Sequence, residues 1–149
     1  MARCYSVDGT QTIASPADTT VTLGSATTIR PAIYDFYIGS ASTPADTAIL
    51  YTWQRITGLG TGTAVTPEEL DSGDPASLST CAENHTAEPT YTSDALVWNV
   101  PINQRATHRA NLDPRAPFKA PASANNGFGM FATHASSTVD NTCTFYLEE

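Results

Sequence analysis

Three histidines, three cysteines and one run of carboxylates are the side chains in this 149-residue chain that could hold a metal or carry a reaction. His85, His108 and His134 stand apart, with no spacing to a second ligand-type residue that marks a metal site. Cys4, Cys81 and Cys143 form an odd set without a C-x-x-C pair, so neither a zinc site nor a disulfide scaffold is expected. Cys4 and Cys143 fall in the first and last strand-like segments, which leaves a bridge between them open after release into an oxidising medium. Glu68, Glu69, Asp71 and Asp74 are the densest acids, yet they lack the D-x-[DN]-x-[DN]-G order of a calcium loop. Helix capping and solubility account for them. Gly58-Leu59-Gly60-Thr61-Gly62 has glycines at every second position and no following G-K-[ST], so it reads as a surface loop rather than a phosphate cradle. No G-x-S-x-G elbow is present. The expectation is a protein with no cofactor, no metal and no enzymatic role.

Charge carries more information than these motifs. The net charge is −8, from 15 acidic and seven basic residues. Up to Val100 the chain holds three cations against eleven acids, whereas Pro101 to Lys119 holds Arg105, Arg109, Arg115 and Lys119 against Asp113 alone. Two readings compete for these four. They form a docking patch for an acidic protein surface, with arginine suited to a salt bridge of fixed geometry, or they pair with the chain's own surplus acid. The overall excess of acid disfavours nucleic acid and anionic lipid, because neutralising phosphate needs a surplus of Lys and Arg. Nothing approaches eighteen consecutive apolar residues, and the first residues lack the apolar stretch of a signal peptide. No membrane partner and synthesis in a cytoplasm are therefore expected, which leaves the glycosylation pattern Asn84-His85-Thr86 idle.

The elements that must position these residues are strands. Threonine is the commonest residue, while lysine, glutamate and leucine, the usual material of exposed helices, are scarce. Strands are predicted around residues 20–23, 28–38, 48–57, 94–102, 104–112, 127–135 and 141–147. Tyr34, Phe36 and Ile38 are placed on one face, Ile49, Tyr51 and Trp53 on another, and Leu96, Trp98, Val100 and Ile102 share one parity. Pro31 marks a strand start, an edge or a bulge. Thr66-Pro67-Glu68-Glu69-Leu70 offers an N-cap, a proline at the first helical position and two early acids, so one or two short helical turns are predicted near residues 66–79. The stretch 113–121 carries three prolines and reads as an ordered loop. Many short strands with frequent turn signals and no long helix predict an all-β, single-domain antiparallel β-sandwich over residues 1–149, of jelly-roll type.

The phrases Arg30-Pro31-Ala32-Ile33-Tyr34-Asp35-Phe36 with Ile38-Gly39-Ser40, Gln54-Arg55, Thr63-Ala64-Val65-Thr66-Pro67, Leu70-Asp71 and Gly73-Asp74-Pro75-Ala76 occur in that order. Asn84 to Tyr91, Asn103-Gln104-Arg105-Ala106-Thr107, Ala124-Asn125-Asn126-Gly127 and the closing Glu148-Glu149 complete the set. As a set they resemble a family of small proteins encoded by tailed bacteriophages. The resemblance implies a structural virion component, a head decoration or minor capsid protein that binds the major capsid protein. It also implies a homo-oligomer on the particle, such as a trimer around a symmetry axis, and a location on the capsid surface after synthesis in the host bacterium. The cations around Arg109 and Arg115 match no pattern of that family, so their docking role rests on charge alone. The alternative is a receptor- or glycan-binding β-sandwich of a tail or head fibre, with Tyr51, Trp53 or Trp98 stacking on ligand. Alternation around both tryptophans favours core positions instead.

Overall fold

Threonine-rich, alternating segments leave the backbone little choice but pairing with another strand, and among the described residues the chain does so twelve times. The computed structural model describes residues 2–13, 17–134 and 138–149. Its strands are β1 (Cys4–Ile13), β2 (Ala17–Gly24), β3 (Ala32–Ala41), β4 (Ala48–Gly58), β5 (Thr61–Val65), β6 (Glu68–Glu69), β7 (Thr80–Ala87), β8 (Thr90–Asn103), β9 (His108–Asn111), β10 (Phe118–Lys119), β11 (Gly127–Thr133) and β12 (Val139–Glu148). They form two antiparallel six-stranded sheets. The first runs β10-β3-β12-β1-β6, with β9 also on β3, and the second runs β5-β7-β2-β11-β4-β8.

With the β5–β7 segment set aside, successive strands alternate between the sheets except at β4 and β8, which pair with each other in the second. β1, β3, β9 with β10, and β12 lie in the first; β2, β4, β8 and β11 lie in the second; and the first strand pairs with the last. That is the winding of a jelly roll. The segment β5–β7, inserted between β4 and β8, widens both sheets: β6 adds to β1, and the β5–β7 pair adds to β2. One hydrophobic cluster fills the space between the sheets, with Val7, Phe36, Ile38, Phe145 and Leu147 from one side meeting Leu23, Tyr51, Trp53, Phe128 and Met130 from the other. Phe36 is its hub. The rings of Trp98, Trp53 and Phe118 lie 5.0, 5.7 and 6.1 Å from it, the two tryptophans edge-on, the arrangement that aromatic quadrupoles favour.

Two expectations are corrected, and the bridge left open between Cys4 and Cys143 is not formed. The stretch 66–79 contains no helical turn. Glu68 and Glu69 pair with Ser6 and Tyr5 as a strand, and the Leu70 amide donates to the Cys4 carbonyl at 3.0 Å. A one-turn helix fixes several residues for a single bond, whereas the free edge of β1 satisfies the same groups at once. Further on, the Asp71 carboxylate accepts from the Gly73 amide at 2.9 Å, an Asx-turn that closes the run. Cys4 and Cys143 do not bridge. Cys4 sits opposite Glu148 and Cys143 opposite Gly9, a displacement of five residues or about 17 Å along the strands, beyond disulfide reach. Both are free thiols, and burial pushes Cys143 well above its ordinary range.

Two one-residue slips account for the second correction. The ladder between β12 and β3 shifts after Tyr146, so Tyr34 leaves the face of Phe36 and Ile38 and turns outward. Likewise Trp53 faces Trp98 but Gln54 faces Leu96; Val97 packs on the core, while Leu96 is 51% exposed.

The last side chain, Glu149, takes the place of the predicted second helical piece. Its carboxylate accepts from the Ser77 hydroxyl at 2.5 Å, the Leu78 amide at 3.1 Å, and the Ser79 amide and hydroxyl at 3.0 and 2.6 Å. Glu149→Ala is expected to cost about 1–3 kcal/mol, because donors in a half-buried loop lose a charged acceptor. Hydrogen exchange at the Leu78 and Ser79 amides would accelerate in that variant. Protection equal to wild type would show that the carboxylate holds nothing.

Candidate docking surface

On β3 the residues alternate in and out, so Phe36 and Ile38 enter the core while Asp35 and Tyr37 lie on the outer face of the first sheet. Tyr37 pairs with Arg109 of β9 on one side and Thr144 of β12 on the other. Tyr146 of β12, at the opposite parity to Phe145 and Leu147, faces outward beside Asp35. The Arg109 guanidinium donates from Nε at 3.1–3.2 Å and from Nη2 at 2.6 Å to the Asp35 carboxylate. It also lies 4.8 Å from the centre of the Tyr37 ring. Hydrogen bonding to Asp35 holds the Arg109 pKa above its ordinary value. The Tyr37 and Tyr146 rings are 6.2 Å apart, edge to face, and Tyr146 and Tyr34 are 6.3 Å apart. Burial first, and then the neighbouring Cys4, push the Tyr34 hydroxyl up to about 12.

The result is a strip, Arg109–Tyr37–Tyr146–Tyr34, crossing three strands. Tyrosine and arginine are the residues enriched in protein interfaces and their energetic centres. Here the arginine is clamped between a carboxylate and a ring, so little of its rotamer freedom remains to be lost on binding. Next to the strip, a groove of about 370 Å³ is bounded by Tyr34, Leu112, Pro114 and Pro117.

The four cations singled out by charge are strung along one edge rather than gathered. Arg109 lies opposite Tyr37 and Lys119 opposite Ala32, five residues and about 17 Å apart along β3. Arg115 is 88% exposed and turned onto Asp113, donating from Nε and Nη2 at 3.0 and 2.6 Å. That contact lowers the Asp113 pKa and raises that of Arg115. Arg105 occupies the turn after β8, where its amide donates to Asn103 Oδ1 at 2.9 Å. Arg109 and Arg115 thus pair with the chain's own acid. Arg105 and Lys119 make no ion pair among the described residues.

The other candidates separate cleanly. Tyr51 and Trp53 are core residues, and Trp98 is half-buried between Phe36 and His108. Among the described residues no group of three His, Cys, Asp or Glu side chains is placed to hold a metal. The outer face of the second sheet carries a hollow of about 250 Å³ lined by Ala17, Gln54, Glu88, Tyr91 and Phe131. Tyr91 stands edge-on to Phe131 at 5.1 Å, and its hydroxyl is 2.6 Å from that of Thr19, which donates to Glu88. No helix is long and apolar enough to cross a membrane among the described residues.

His85 is buried with Nδ1 unpartnered, and Nε2 lies 3.4 Å from the Thr22 hydroxyl. Burial lowers its pKa, with Glu88 opposing. The folded chain therefore favours neutral His85, and that contribution to stability is fully present above about pH 6.5, the unfolded value. It is lost as pH falls from there through the lowered folded value, with a slope of at most ~1.4 kcal/mol per pH unit. Denaturation midpoints for wild type and His85→Gln should diverge over that window. Parallel pH profiles would remove the claim.

No protein-family model, curated protein or solved structure matches this chain.

Proposed function

We propose that the chain is a structural virion protein of a tailed bacteriophage that decorates or cements the capsid shell by binding the major capsid protein. It works on the particle surface without cofactor or catalysis, as one of several copies. The phage assignment rests on the ordered phrases from Arg30 to Glu149. The observation that carries docking is the Arg109–Tyr37–Tyr146–Tyr34 strip, an outward aromatic and cationic surface held rigid by Asp35. Many copies on a symmetric shell let a modest interface act collectively.

The test is mass spectrometry of purified virions, followed by rebinding of the isolated protein to shells stripped of it. Presence at hundreds of copies, with rebinding, supports decoration. Absence from virions ends the proposal. A second reading, a receptor- or glycan-binding module of a tail or head fibre, is favoured by the Tyr91–Phe131 hollow rather than by the tryptophans. It would be preferred if the isolated protein bound glycans or whole cells, lost that binding on Phe131→Ala, and ignored shells.

A further inference from the structure

The first sheet ends in two short strands of opposite charge. β10 forms one edge and β6 the other, and the register sets them level. Phe118 pairs with Ile33, Ile33 with Leu147, Leu147 with Tyr5, and Tyr5 with Glu69, a single row across five strands. Four inter-strand spacings make that row about 19 Å wide.

At the β10 edge three cations far apart in sequence converge. Arg55 Nη1 donates to the Lys119 carbonyl at 3.4 Å, and Arg30 Nε donates to the next carbonyl, that of Ala120, at 3.3 Å. Both guanidinium groups thus sit on the backbone of the edge strand that carries Lys119, and none of the three cations makes an ion pair among the described residues. At the β6 edge stand Glu68, Glu69 and Asp71, also without an ion pair, flanked by Leu70 at 52% exposure, while the one cation beside them among the described residues, Arg3, is turned to Asp74 at 4.0 Å, which leaves the edge net acidic.

Charges on sheet edges commonly guard against unwanted strand pairing. Either sign serves that purpose on either edge. Sorting acid to one edge and base to the other is what complementarity requires, so the occupant that fits each edge is the opposite edge of a second copy. We infer that the protein self-associates head to tail, the Glu68–Glu69–Asp71 edge of one molecule seating on the Arg30–Arg55–Lys119 edge of the next. Such a heterologous contact builds a ring or a filament rather than a two-fold dimer. It uses sheet edges, not the tyrosine strip, and it belongs to the isolated protein, so it stands or falls independently of any capsid.

Two charge-reversed proteins test it: Lys119→Glu/Arg30→Glu, acidic on both edges, and Glu68→Lys/Glu69→Lys, basic on both. Sedimentation equilibrium of wild type at about 0.15 M salt should give a mass that rises with concentration, falling to the monomer near 1 M, where the Debye length is about 3 Å. Each reversed protein alone should stay monomeric. An equimolar mixture should associate again, because each supplies the edge that the other needs. That rescue also shows that both variants fold. A wild type that is monomeric throughout, reversed proteins that associate as wild type does, or folded variants whose mixture remains monomeric would overturn the inference.

Discussion

Phe36→Ala is expected to lose about 3–5 kcal/mol of folding stability, the range for emptying a large buried aromatic. A domain of this size holds only about 5–15 kcal/mol in total, so the variant would be marginal at ordinary temperature. The cost is high at this position because Phe36 touches both sheets' aromatic residues at once: Trp53 and Trp98 from the second sheet, Phe118 from the edge of its own. Removing the ring takes one aromatic partner from each of Trp53, Trp98 and Phe118 and leaves a cavity between the sheets. The backbone of β3, paired on both sides, cannot collapse inward to refill the space. In urea the midpoint should fall while the slope, set by the surface exposed on unfolding, stays constant. Phe36→Leu, which keeps most of the volume, should cost less than about 1.5 kcal/mol. A loss below about 1 kcal/mol for the alanine would mean that the sheets do not meet at this residue.

On the proposed docking, Tyr37→Ala should weaken binding to capsid shells about 30-fold, the equivalent of the ~2 kcal/mol that defines an energetic centre of an interface. Tyr37 is the middle of the strip. Its ring is stacked by the Arg109 guanidinium on one side and met by Tyr146 on the other, and it remains 37% exposed. Truncation therefore removes contact area and releases Arg109 from one of its two restraints. Arg109→Glu should abolish binding at low salt by placing like charge beside Asp35 and facing the partner with the wrong sign. Arg115→Glu is the control: its charge is spent on Asp113 rather than held against the strip, and shell occupancy should change little. Thermal unfolding of Tyr37→Ala, measured alongside, separates lost docking from lost fold. Equal shell occupancy by Tyr37→Ala and wild type would remove the strip from the docking surface.

Strand positions were legible in the chain because a half-buried strand writes its two faces into alternating residues. The series Ile49, Tyr51, Trp53 and Cys143, Phe145, Leu147 points inward as that alternation requires. The reading failed at Tyr34 and Leu96 for a shared reason. A bulge of one residue reverses parity downstream, and only the partner strand reveals where the slip falls. It failed at residues 66–79 because local helix signals at Thr66, Pro67, Glu68 and Glu69 compete with a distant edge. The long-range bonds to β1 and to Glu149 win. The tyrosine strip had a faint signature, since Tyr37 and Tyr146 interrupt apolar runs at outward parity. Its dependence on Asp35, 74 residues from Arg109, had none.

An all-β sandwich, an acidic body and a cation-rich stretch at residues 101–119 are legible along the chain, because composition, alternation and charge are properties of neighbours in sequence. Tertiary structure alone decided which cations are free. It turned Arg109 onto Asp35 and Arg115 onto Asp113, and it brought Arg30 and Arg55 to Lys119. It also placed Glu68 and Glu69 on the far edge of the same sheet. Coulomb energy depends on separation in space and falls off within a Debye length of about 8–10 Å, a distance that sequence number does not record.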